Sequence, residues 1–116
     1  MYCRSCRKWF PNNILFCDIC GKPLVKDLDI YGENFFNGDV QAFDYIYQNS
    51  YNWVAGEVKK MFSVNLSEVE DCVQEIYLLL YRKIKYYDPR QGSFTAWFNA
   101  LVRNRIYDYG RKLAGN

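Results

Sequence analysis

The sequence predicts a mostly α-helical protein, three helices behind a small N-terminal ribbon, and three observations lead there. Four of the five cysteines fall within the first 20 residues as two Cys-x-x-Cys pairs. Three later stretches repeat apolar residues at helical spacing. Half of the 116 residues are apolar, enough to bury a core without disulfides. We expect residues 1–26 to form the ribbon, 27–37 a linker and 38–116 the helical domain.

In the ribbon, Cys3 and Cys6 form one pair and Cys17 and Cys20 the other, with ten residues between them. Each pair places two thiolates on one tight turn, and two such turns make a tetrahedral four-sulfur shell. Zinc is the expected cofactor. Two disulfides or an iron–sulfur cluster fit less well with this spacing in a chain expected to be cytoplasmic. Gly21, directly after the second pair, relieves the backbone where amides turn toward sulfur, whereas Arg7 holds the matching place in the first. Pro11-Asn12-Asn13 reads as a turn between two short strands, "KWF" and "ILF". A unit this short cannot bury a core, so zinc would supply most of its folding free energy.

The acidic stretch "VKDLDIYGENFFN" is interrupted by Gly32 and reads as linker and entry turn. The first helix is expected over about residues 39–62, with Phe43, Ile46, Tyr47, Val54 and Met61 on one face. The second opens at a Ser67-x-x-Glu70 capping box and buries Val69, Cys72, Val73, Ile76, Leu80 and Ile84. Cys72 is therefore a core thiol rather than a ligand. On its opposite face Asp71, Gln74, Leu78, Tyr81 and Lys85 cluster, with Glu75 and Arg82 beside them. An apolar residue ringed by polar ones suggests a docking surface. The third helix is capped by Ser93 and turns Phe94, Trp97, Phe98, Leu101, Val102 and Tyr109 inward. Thr95, Asn99, Arg103, Tyr107 and Arg111 populate its outer half, and Arg105 on the apolar arc must snorkel or meet a partner.

The net charge of +2 conceals segregation. Residues 1–26 carry net +4, residues 27–89 net −6 and residues 90–116 net +4. Basic ends suit an anionic partner and the acidic middle a basic one. There is no histidine, which removes the usual general base and every histidine metal site. No glycine-rich phosphate loop occurs, and we expect no enzymatic activity. No run approaches the roughly 18 apolar residues of a membrane span, and the first residues lack a secretory signal's apolar stretch. The expected location is the cytoplasm.

The stretches "GDVQAFDYIYQNSY" and "EVEDCVQEIYLLLYRKIKYYDPRQGSFTAWFNALVRNRIYDYGRK" resemble the second conserved region of bacterial sigma factors. The extracytoplasmic-function variety is the nearest. The runs Asp-x-Val-Gln-Glu, Tyr-Asp-Pro-x-x-Gly-Ser-Phe-x-x-Trp and Arg-Asn-Arg-x-x-Asp carry the likeness, which covers residues 38–112. It implies a sigma region-two domain whose second helix docks on the clamp helices of the largest RNA polymerase subunit, through Asp71, Gln74, Glu75, Leu78 and Tyr81. It further implies that the turn before the third helix binds the non-template single strand of the promoter minus-ten element. That surface comprises Tyr86, Tyr87, Arg90, Gln91, Ser93 and Trp97, continued by Asn99, Arg103, Asn104 and Arg111. The tryptophan pair with which primary sigma factors wedge the duplex open is replaced by Ala100 and Leu101.

The expected function is therefore a transcription initiation factor that binds RNA polymerase core and opens the minus-ten element. The alternative is a sigma-like regulatory module that binds polymerase or a partner sigma subunit without reading DNA. The family's domain for the minus-thirty-five element has no counterpart in this sequence, which leaves three readings open: the chain is a fragment, a second subunit supplies that half, or the ribbon substitutes for part of it. A second subunit and an anti-sigma factor are accordingly candidate partners.

Overall fold

The computed structural model describes residues 1–62 and 66–113. Two short antiparallel strands, β1 (Tyr2–Cys3) and β2 (Lys8–Trp9), lead into four α-helices. These are α1 (Asp27–Phe36), α2 (Ala42–Phe62), α3 (Leu66–Lys83) and α4 (Phe94–Leu113), with a 3-10 turn at Ile84–Tyr86 after α3. The last three are the expected helices. The end of the expected helical domain, beyond residue 113, lies outside the described residues.

The expected linker is instead a helix. Ile30 and Phe35 of α1 are buried, and Gly32, which interrupts the sequence pattern, sits inside the helix rather than ending it. A Cβ built on Gly32 would lie 2.0 Å from the Phe94 ring, so glycine is what lets α4 approach α1. The two helices are also joined at the polar edge, where Asp29 Oδ1 accepts hydrogen bonds from the Thr95 amide (2.8 Å) and hydroxyl. That carboxylate serves one of the amides a helix start leaves without a partner.

The helical core forms where the apolar stripes of all four helices meet, with Ile46, Val58, Ile76, Leu80, Phe94 and Phe98 fully buried. Cys72 is buried in it, and burial pushes its thiol up to about 11, as befits a packing residue. One polar pair is enclosed: the Ser50 hydroxyl and the Tyr77 hydroxyl lie 2.6 Å apart, and Ser50 also donates to the Ile46 carbonyl. Burying two hydroxyls is tolerable because they satisfy each other.

Three local expectations are corrected. "KWF" pairs with β1 in the register Tyr2 to Trp9, while "ILF" contributes only a bridge from Phe16 to Pro23. The Cys3 knuckle closes that hairpin, so the strands flank it instead of following it. Met61 is exposed, at the mouth of a cavity that it lines with Arg103, Ile106 and Tyr107 of α4. Ser67 lies within α3 rather than before it, and Glu70 accepts a hydrogen bond from the Tyr51 hydroxyl (2.6 Å), which pushes that phenol up to about 12.

The ribbon is packed onto the helices by aromatic rings. Trp9 stacks on Tyr31 with centroids 5.6 Å apart, and Tyr31 stacks on Tyr45 of α2. Arg4 adds an ion pair to Glu33 of α1 at 2.8 Å.

Candidate metal centre and recognition faces

Cys3, Cys6, Cys17 and Cys20 converge, with all four sulfurs within 4.8 Å of one another. The closest pairs are Cys3–Cys20 at 3.6 Å and Cys6–Cys17 at 3.7 Å. Sulfurs at tetrahedral corners about 2.3 Å from a metal stand about 3.8 Å apart, so the spacing fits one ion. Each knuckle aims amides at its first sulfur: Cys6 N to Cys3 Sγ and Ile19 N to Cys17 Sγ, both 3.4 Å. Each also closes with a matching backbone bond, Arg7 N to Cys3 O (2.8 Å) and Gly21 N to Cys17 O (2.9 Å). Both residues at that place are left-handed, Gly21 at φ 75° and Arg7 at φ 54°. Burial alone would raise the Cys17 thiol, but the amides of Cys20 and Ile19 outweigh it and bring the group down to about 7. Burial and the neighbouring sulfurs push Cys6 up to about 12. Four thiols can thus hold a metal ion, and doing so releases protons.

The outer face of α3 is open. Asp71, Gln74, Leu78 and Tyr81 are exposed, Leu78 at 56% and Tyr81 at 54%. Beneath them the face is packed against its neighbours. The Tyr81 ring rests on Phe35 and Phe43, each 5.7 Å away between centroids, and Gln74 Nε2 donates to the Tyr47 hydroxyl at 3.4 Å. Glu75 is half-buried and ion-paired with Arg105 of α4, which thus meets a partner rather than snorkelling. Its carboxylate is thereby committed within the domain.

The turn from Tyr86 to Ser93 is held by its own side chains. Asp88 Oδ1 accepts from the Arg90 amide (3.0 Å) and from Arg90 Nε (3.1 Å), and the Tyr87 hydroxyl donates to the Gly92 carbonyl (2.9 Å). The Arg90 guanidinium beside Asp88 holds that carboxyl below the usual aspartate range. Ser93 caps α4, its hydroxyl accepting from the Ala96 amide at 3.2 Å.

Of the residues grouped by the sequence, Tyr86, Tyr87, Gln91, Ser93 and Trp97 line one cavity of about 300 Å³. Asn104 lines a neighbouring groove with Tyr86 and Trp97. Arg103 opens on the other flank of α4, beside Lys60 and Met61 of α2, and Arg111 pairs with Asp108 near the helix end. Asn99 is half-buried. Tyr87 differs from the rest: it is 3% exposed and packed among Phe36, Phe94 and Trp97, so it lines the cavity as part of its packed wall. Ala100 is exposed and Leu101 buried. The Asp29 bond to Thr95 is a positioning contact that sequence reading missed, since 66 residues separate the partners and no local pattern links them.

A four-thiol ribbon packed on a helical domain, with one apolar-centred face and one aromatic cavity facing outward, is the build of a recognition module. The chain belongs to the Sigma-70 region 2 family, which it matches over residues 46–115. That match starts inside α2 and leaves out the ribbon and α1. The chain is 33% identical over 85 residues to "ECF RNA polymerase sigma factor SigK" of Mycobacterium sp. (strain KMS), covering 73% of this chain and 44% of that one. It is 32% identical over 74 residues to "ECF RNA polymerase sigma factor RpoE" of Cereibacter sphaeroides, covering 64% and 40% respectively. To the SigK of Mycobacterium tuberculosis (strain ATCC 25177 / H37Ra) it is 31% identical over 94 residues, 80% of this chain and 50% of that one. The chain thus spans about half the length of these relatives or less. No solved structure matches it.

Proposed function

We propose that the chain is the promoter-binding part of a transcription initiation factor. The outer face of α3 docks on the clamp helices of the largest subunit of RNA polymerase core. There, Leu78 and Tyr81 supply buried area and Asp71 steers a basic partner, while Gln74 adds a hydrogen bond. The turn from Tyr86 to Ser93 and the start of α4 take up the non-template strand of the minus-ten element. Strand separation is driven by binding energy alone.

The observation that carries this reading is the cavity of about 300 Å³ lined by Tyr86, Tyr87 and Trp97 together with Gln91 and Ser93. Its size sits at the lower end of small-ligand sites, and an aromatic flank with hydrogen-bonding groups is what an unpaired base needs. Stacking on such a ring contributes about 1–3 kcal/mol per base. Arg90, Asn99, Arg103, Asn104 and Arg111 would follow the strand's phosphates, with Arg90 exchanging Asp88 for DNA. Tyr87 acts from below by holding the turn.

We propose zinc as the ion of the ribbon, where four thiolates satisfy its tetrahedral preference and where it would cross-link the two knuckles. The domain division follows from the same reading, with the ribbon at 1–26 and α1 joined to the helical part from residue 27 onward.

The test is binding of labelled oligonucleotides. Single strands carrying a minus-ten sequence should bind more tightly than duplex, with affinity falling as salt rises. Trp97→Ala should weaken single-strand binding by about tenfold, on the scale of one lost stacking contact. Equal affinity for duplex and single strand, with no sequence preference, would favour a module that binds polymerase or a partner sigma subunit without reading DNA.

A further inference from the structure

We propose that the groove between the ribbon and α1 is a second DNA contact, in which Arg7 takes the phosphate backbone of the strand leaving the Tyr86–Ser93 turn. The proposal rests on the reading of that turn as a strand-binding site. The groove measures about 540 Å³ and is walled by Arg4 and Arg7 of the ribbon, Glu33, Asn34 and Asn37 on the α1 side, and Pro89 of the turn itself. The turn that lines the base-sized cavity with Tyr86, Gln91 and Ser93 therefore borders this groove with Pro89. The two concavities have different lining residues but are bordered by the same turn, so a strand leaving one would pass Pro89 into the other.

Arg7 is the residue whose presence asks for an explanation. At the equivalent place of the second knuckle stands Gly21, for which a left-handed backbone is unstrained. The first knuckle puts an arginine in the same conformation, at φ 54°, against the steric preference of any residue with a Cβ. Its side chain is exposed, opens into the groove and meets no acid among the described residues. Strain of this kind persists where a side chain has work that its surroundings hold it to.

The charge around it points the same way. Of the ribbon's five basic residues, only Arg4 has an ion-pair partner among the described residues, and the ribbon's one acid is Asp18. Glu33 is the single carboxylate lining the groove, and Arg4 neutralises it. Exposed amides of Asn34 and Asn37 add neutral donors. A cationic groove with amide donors and a strand-binding turn at its rim fits a phosphodiester chain.

The experiment uses the full metal-loaded chain and measures affinity for single-stranded and duplex oligonucleotides across a salt series. Arg7→Asn removes the charge with a residue that tolerates left-handed backbone, and Arg7→Gly removes it while relieving the strain. Both should weaken single-strand binding and shrink the slope of log affinity against log salt by about 0.7, the loss of one single-strand phosphate contact. Lys59→Gln, on the exposed face of α2, should leave both unchanged. A loss of slope of about 0.9 confined to duplex would assign the groove to double-stranded DNA and overturn the strand path. Wild-type affinity and slope in both Arg7 variants would overturn the groove while leaving the turn reading in place. Absence of DNA binding by the wild type would overturn both.

Discussion

The ribbon and the helical domain hold themselves together by different means. The ribbon has three buried apolar residues, Cys3, Cys17 and Leu24, and two of them are members of the four-thiol cluster. Among the described residues, the helical domain buries eighteen in one continuous core. A fold that rests on four side chains is decided by their spacing, while a fold that rests on packing is decided by many small fits. The two should therefore fail separately.

The sharpest way to break the comparison is to remove the metal. Structural zinc supplies about 10–16 kcal/mol in short zinc peptides, far more than a three-residue core can replace. A chelator should collapse the amide resonances of residues 1–25 toward unfolded positions while those of α2 to α4 keep their dispersion. Melting of both parts together would mean that the ribbon is an integral layer of the helical core.

The next largest effect falls on the helical side. Gly32→Ala drives a methyl group into the Phe94 ring and should lower stability by about 3 kcal/mol, the upper range for overpacking a core. A denaturant midpoint unchanged from wild type would mean that α1 can lift away from α4 without cost.

The smallest effect concerns the turn. Because Arg90 holds Asp88 below the usual aspartate range, the contact stabilises the folded turn at pH values above the ordinary aspartate pKa. That contribution disappears as pH falls through the depressed value in the folded state. Arg90→Gln should return Asp88 to ordinary titration, as followed by carboxyl chemical shifts. An unchanged Asp88 titration would show that the backbone amides alone set it.

The same contrast explains what could be read in advance. Two Cys-x-x-Cys pairs define their cluster wherever the rest of the chain goes, and the four sulfurs meet as expected. Helical periodicity likewise gave α2, α3 and α4, and the outward set Gln74, Leu78 and Tyr81 follows from the stripe on the opposite side. Reading failed where a residue's meaning lies in a distant neighbour. Gly32 looks like a break until Phe94 is placed against it, and Tyr87 looks like Tyr86 until three rings close around it. Arg105 on the apolar arc has either to snorkel or to meet a partner, and only the crossing of α3 and α4 decides for a partner, Glu75.

The central claim is that the outer face of α3 is a polymerase-docking surface rather than solvated helix. It is tested most directly by binding of the wild-type chain and a Gln74→Ala, Leu78→Ala double variant to the isolated clamp-helix coiled coil of bacterial RNA polymerase. Both side chains are exposed, so the variant should keep its thermal stability and lose about tenfold or more in affinity. Equal binding by the two chains, or none by either, would contradict the account.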